Sequence, residues 1–196
     1  MKLFNTIVLG VLLIAANNIQ AQNKYSLVAF GVTIDGTSNL HSWDEKVETV
    51  SGKGIINWSS DKSFTLQSFN IVMQVNSIKS DEGSTMNNKT YKALKSDQFP
   101  TITFSLTQPV VPITSNADPY SVVAKGNLTI AGVTKTVDIQ LKISMPGKGT
   151  MQFEGAQTIK MTDYGVTPPV ALFGALVTGG EITIRFKTDF LVTINP

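Results

Sequence analysis

The chain of 196 residues contains no cysteine and a single histidine, His41. The first absence excludes disulfide staples, zinc–thiolate sites and thiol nucleophiles. The second excludes a metal centre built on several imidazoles and leaves a Ser-His-Asp arrangement only one candidate base. His41 has no recognisable oriented partner in the sequence and reads as a structural histidine on a strand. Charge is scarce and balanced, with 16 Lys and Arg against 14 Asp and Glu. That balance offers no basic patch for nucleic acid. Gly31, Gly36, Gly52 and Gly54 do not form a phosphate-cradling loop ahead of a helix, so nucleotide binding lacks its motif. Asp44 and Glu45 are neighbours. On a strand they point to opposite faces and cannot share one site. Asp81-Glu82 reads as charge at a helix start. Nothing in the sequence supports an enzyme, a metal site or a cofactor.

Long apolar runs are missing after the first residues. Lys2 supplies a positive start, residues 3–16 are apolar apart from Asn5 and Thr6, and Ala21 offers a small residue for cleavage. This pattern predicts a signal peptide over residues 1–21. The run is short for a membrane span, which needs about 20 apolar residues. The expectation is a periplasmic or secreted domain over residues 22–196, meeting a membrane only transiently.

What the sequence does have is alternation. Val28, Phe30, Val32 and Ile34 alternate with smaller or polar neighbours, as do Phe69, Ile71, Met73 and Val75. Ile102 and Phe104 alternate with threonines. Tyr120, Val122, Ala124, Leu128 and Ile130 fall on one face, and Val137, Ile139, Leu141 and Ile143 oppose Asp138, Gln140 and Lys142. Ile182, Ile184, Phe186 and Phe190 oppose Arg185, Lys187 and Asp189. Period-2 patterning of this kind means strands with one buried and one wet face, in antiparallel sheets. Turn signals such as Asp35-Gly36, Ala131-Gly132 and Gly179-Gly180 separate the runs. About eight or nine such strands predict an all-β domain closed into a barrel or a two-sheet sandwich.

One segment breaks the pattern. Residues 80–96 predict a helix, with Ser80 or Asp81 as cap and Met86, Thr90, Tyr91 and Leu94 at helical spacing. Pro100 ends it. A single helix between barrel strands is placed to cover one end. A second helical turn is expected over residues 169–176, after Pro168-Pro169.

Three stretches, in order, resemble the YceI-like family of exported, lipocalin-like barrels. They are Met86-Asn87-Asn88-Lys89-Thr90-Tyr91-Lys92-Ala93-Leu94 running into Phe99-Pro100-Thr101-Ile102-Thr103-Phe104, then Gly126-Asn127-Leu128-Thr129-Ile130-Ala131-Gly132-Val133-Thr134-Lys135-Thr136-Val137. The third is Met161-Thr162-Asp163-Tyr164-Gly165, continuing through Pro168, Phe173, Gly179-Gly180 and Glu181-Ile182-Thr183-Ile184. The resemblance implies an antiparallel barrel of about eight strands with a capping helix. It also implies a long apolar cavity that binds a polyisoprenoid lipid, quinone-like or a prenyl phosphate.

Strand parity then assigns Phe30, Val32, Ile71, Met73, Phe104, Ile139 and Phe186 to the lining. The cap implied by the resemblance adds Met86, Tyr91, Lys92, Leu94 and Phe173, with Tyr91 and Lys92 as head-group contacts. The functional expectation is sequestration or transport of an apolar lipid without catalysis. The alternative is a non-catalytic envelope protein with a filled core that serves structure or interaction. An exposed strand edge would permit a homodimer.

Overall fold

The computed structural model describes residues 22–60, 63–111, 118–147, 149–171 and 174–193. The expected signal peptide and Phe173 lie outside the described residues. In chain order the strands are β1 (Gln22–Ser38), β2 (Ser42–Val47), β3 (Val50–Ser60), β4 (Ser63–Gln74) and β5 (Ile78–Ser80). The helix α1 (Ser84–Ala93) follows. Then come β6 (Thr101–Leu106), β7 (Tyr120–Ile130), β8 (Val133–Gly147), β9 (Thr150–Lys160), β10 (Val170–Ala171) and β11 (Leu176–Thr193).

Eight strands close a barrel in the order β1-β3-β4-β6-β7-β8-β9-β11, with β11 pairing back onto β1. Every pairing is antiparallel. Closure removes the free edges that an open sheet would present. The alternation sets the faces as expected. Val122, Ala124, Leu128 and Ile130 on β7 are buried, as are Ile139, Leu141 and Ile143 on β8. On the outer face of β11, Arg185 pairs with Asp35 at 2.6 Å and Lys187 with Glu154 at 3.6 Å. The β7–β8 hairpin turns on Ala131 and Gly132, both at positive φ (48° and 81°). That is the requirement of a tight two-residue hairpin turn.

β1 departs from simple alternation. Its register with β11 slips between Leu27 and Ala29, so Val28 is a bulged residue and is 59% exposed. The inward set is therefore Tyr25 and Leu27 before the bulge and Val32 and Ile34 after it, not one even-numbered series. A bulge inserts one residue and shifts the parity of everything beyond it. β1 also changes partners: residues Gln22–Ser26 pair with β3 and Thr33–Thr37 with β2. Phe30 sits in the stretch between and is exposed.

β2 and β5 pair with each other at the end of β1 remote from its N-terminus and carry the chain into α1. The helix is shorter than the expected segment. Its N-cap is Gly83, not Ser80 or Asp81, and no side chain caps it. Ser80 serves the approach instead, its Oγ accepting from the Glu82 N–H (3.1 Å) while its own N–H donates to Asn87 Oδ1 (2.8 Å). Of the helical turn expected over residues 169–176, Leu172 and Phe173 lie outside the described residues, and the segments flanking them are extended. Val170 and Ala171 pair with Val177 and Leu176 as a short antiparallel arm.

Candidate functional site: a lidded apolar cavity

The two ends of the barrel are packed differently. At the end holding the start of β1, the interior is solid with rings. Phe69, Phe153 and Phe190 lie 4.8–5.4 Å apart, and Phe64 packs against Trp58 (5.1 Å) and Tyr120 (5.6 Å). Trp58 Nε1 donates to the Tyr25 hydroxyl (3.2 Å), so the polar edges of this plug have partners.

Toward the other end the interior is hollow. A cavity of about 70 Å³ lies at mid-height, lined by Val32, Ile71, Met73, Phe104, Ile139 and Phe186 among others. A second, of about 120 Å³, lies at the mouth under α1, and Ile184 lines both. The mouth cavity is walled by Ile34, Ile102, Ile130, Ile159, Met161 and Ile182, and roofed by Met86, Thr90, Ala93 and Leu94 of the helix segment. A dry apolar cavity of about 150 Å³ is enough to take up a benzene-sized guest. Missing side-chain volume helps make this shape. Gly36 lies where a Cβ would strike the Trp43 ring, and Gly126 where a Cβ would strike Phe104.

Six of the seven strand residues expected to line the interior do so, all around the mid-height cavity. Phe30 does not, because it lies where β1 passes from β3 to β2. From the helix, Met86 and Leu94 line the mouth cavity. Tyr91 and Lys92 do not. Tyr91 is five residues after Met86, which at 3.6 residues per turn turns it about 140° away. Its hydroxyl accepts from Lys79 Nζ (2.7 Å) and lies 2.8 and 2.9 Å from the carbonyl oxygens of Asn76 and Ile78. That ring anchors the lid to β5 from outside. Lys92 is exposed on the same outer side.

The polar groups at the mouth are ones the sequence reading passed over. Glu45 on β2 is 5% exposed and lines the cavity. Thr90 Oγ1 donates to its Oε1 at 2.6 Å, a contact between lid and barrel. Burial pushes the Glu45 carboxyl above its usual range; the Thr90 bond opposes this and the nearby Glu82 carboxylate adds to it. Glu82 lies 3.8 Å from His41 Nε2, whose Nδ1 is 2.9 Å from the Ser42 carbonyl oxygen. Lys89 and Trp43 complete this rim, with Trp43 Nε1 donating to the Thr37 carbonyl at 3.0 Å. One signal for Glu45 was present: Trp43, Glu45 and Val47 share one strand face, so a carboxylate stands on an otherwise apolar side.

Known proteins share this architecture. A polyisoprenoid binding domain from Saccharophagus degradans, implicated in plant cell wall breakdown, superposes with a TM-score of 0.66 at 15% identity. That match covers 86% of this chain and 98% of the other. BcnA of Burkholderia cenocepacia gives 0.60 at 20% identity, over 82% and 95% of the two chains. The YCEI protein of Campylobacter jejuni gives 0.58 at 17%, over 77% and 85%. At these identities the likeness is one of fold. In sequence, a UPF0312 protein of Yersinia pestis is 31% identical over 113 residues, 55% of this chain. The match spans 56% of the Yersinia protein, so the chain covers about half the length of that relative. The YceI-like domain model matches residues 19–190. With that match extending over nearly every element of the barrel and its lid, the chain belongs to the YceI-like domain family.

Proposed function

We propose that this protein binds an apolar isoprenoid-type lipid in the barrel and sequesters or carries it, without catalysing a reaction. The observation that carries this reading is the hollow, aliphatic half of the barrel beneath α1, set against a solid aromatic half below. Each CH₂ moved from water into such a space gains about 0.8 kcal/mol. A prenyl chain of a few units would thus be held without a strong polar contact. The fold shared with a polyisoprenoid binding domain supports the same ligand class. The unfilled interior weighs against the alternative of a barrel that is solid throughout. Export to the periplasm or beyond, after removal of residues 1–21, would place the protein where a lipid must cross water between membranes.

Native mass spectrometry of the protein purified from its own host tests the reading. The expected result is a reproducible lipid-sized mass increment, lost on denaturation. A clean apo mass under gentle conditions would overturn it.

A further inference from the structure

An apolar chain threaded into the mid-height cavity leaves its head group at the mouth, where Glu45 is the buried polar side chain. Its Oε1 is taken by Thr90, while no described residue donates a hydrogen bond to Oε2. The other titratable groups facing this cavity are Glu82 from the turn before α1, Lys89 from α1, His41 from the β1–β2 turn and Tyr164 after β9. Two carboxylates thus face one ammonium, and none of these groups provides a bidentate cation of the kind that grips phosphate. An anionic head group entering here would give up water and meet a carboxylate. A hydroxyl would meet a free acceptor in Oε2, and a carbonyl could take a hydrogen bond from the carboxyl in its protonated form.

We propose that the mouth selects isoprenoids with an uncharged hydrogen-bonding head group, an alcohol or carbonyl, and rejects phosphorylated ones, with Glu45 as the discriminating residue. Glu45 then acts by exclusion as much as by attraction. This rests on the lipid-binding reading above and narrows its ligand class.

The test is titration of the purified, delipidated protein with geranylgeraniol and with geranylgeranyl monophosphate at about pH 7.5, followed by Trp43 fluorescence, since Trp43 lines the cavity. The alcohol is expected to bind at least about tenfold more tightly. Glu45→Gln should keep the alcohol and bring the two affinities within about threefold. Retained alcohol binding shows that the variant is folded. If it does not fold, Glu82→Gln takes its place and should raise phosphate affinity alone. Equal or tighter binding of the phosphate by the unaltered protein overturns the head-group inference and leaves lipid binding standing. An unchanged preference in folded Glu45→Gln overturns the role of Glu45. Binding of neither ligand overturns the lipid reading and this inference together.

Discussion

The two halves of this barrel are built from the same alternating strands yet end in opposite states. In the half holding Phe69, Phe153 and Phe190, rings from three strands meet and fill the interior; Phe153 and Phe190 are 1% and 0% exposed. In the other half the inward residues are mostly aliphatic, with Phe104 and Phe186 among them, and they leave two cavities under a helix that has no fully buried residue. Eight strands give an interior that side chains can either fill or leave open for one small ligand. Here one barrel does both, and side-chain volume decides where the change occurs. Stability belongs to the aromatic half and capacity to the aliphatic half.

Three substitutions would break or sharpen that contrast. The largest effect is expected from Phe190→Ala, which empties the centre of the plug and should cost about 3–5 kcal/mol. Met86→Ala on the half-exposed lid should cost far less. Denaturant unfolding of the two variants would refute the contrast if their losses were similar. Next comes Ala124→Leu, which projects into the mid-height cavity. Its stability should stay within about 1.5 kcal/mol of the parent, because it fills a void. Displacing about three methylenes of a bound chain would weaken lipid binding by about 2 kcal/mol. Unaltered affinity for geranylgeraniol would mean that the ligand does not reach that depth.

The smallest effect concerns the pH dependence of the lid contact. Burial raises the native carboxyl of Glu45 above its ordinary value of 4.5. Between the two values the native state holds a proton that the unfolded chain has released. The stabilisation from Glu45 is therefore complete below its unfolded value and is lost as pH rises through the native one. Glu45→Gln should remove this component, so the difference in Tm between parent and variant should change as pH rises above 4.5, in the variant's favour at the alkaline end. A flat difference curve would show that Glu45 titrates as it does in the unfolded chain.

Much of the wall was legible from local pattern. On β7, β8 and β11 the period of two assigned inner and outer faces as they occur. Six lining residues followed from parity alone. The failures have separate causes. Phe30 was assigned on the assumption that β1 keeps the same neighbours along its length, and its passage from β3 to β2 at that point leaves no sign in composition. Tyr91 and Lys92 were placed by resemblance at the mouth, although Tyr91 lies off the Met86 face by simple helix geometry and instead bolts the lid to β5. Glu45 was dismissed as one of an adjacent acid pair. The rule used was sound, since Asp44 is exposed and Glu45 buried. The inward member of such a pair was the one to follow.

By itself the sequence determined that this chain makes amphipathic antiparallel strands with one helical interruption, and which side chains of most strands face inward. Those are consequences of backbone periodicity and need only near neighbours. The tertiary structure decided where the interior is full and where it is empty. It also decided that Glu45 meets Thr90, 45 residues away, at the mouth of the empty half. Cavity and contact both depend on how eight strands close and on the volumes that then face each other across the barrel, a sum that no local pattern contains.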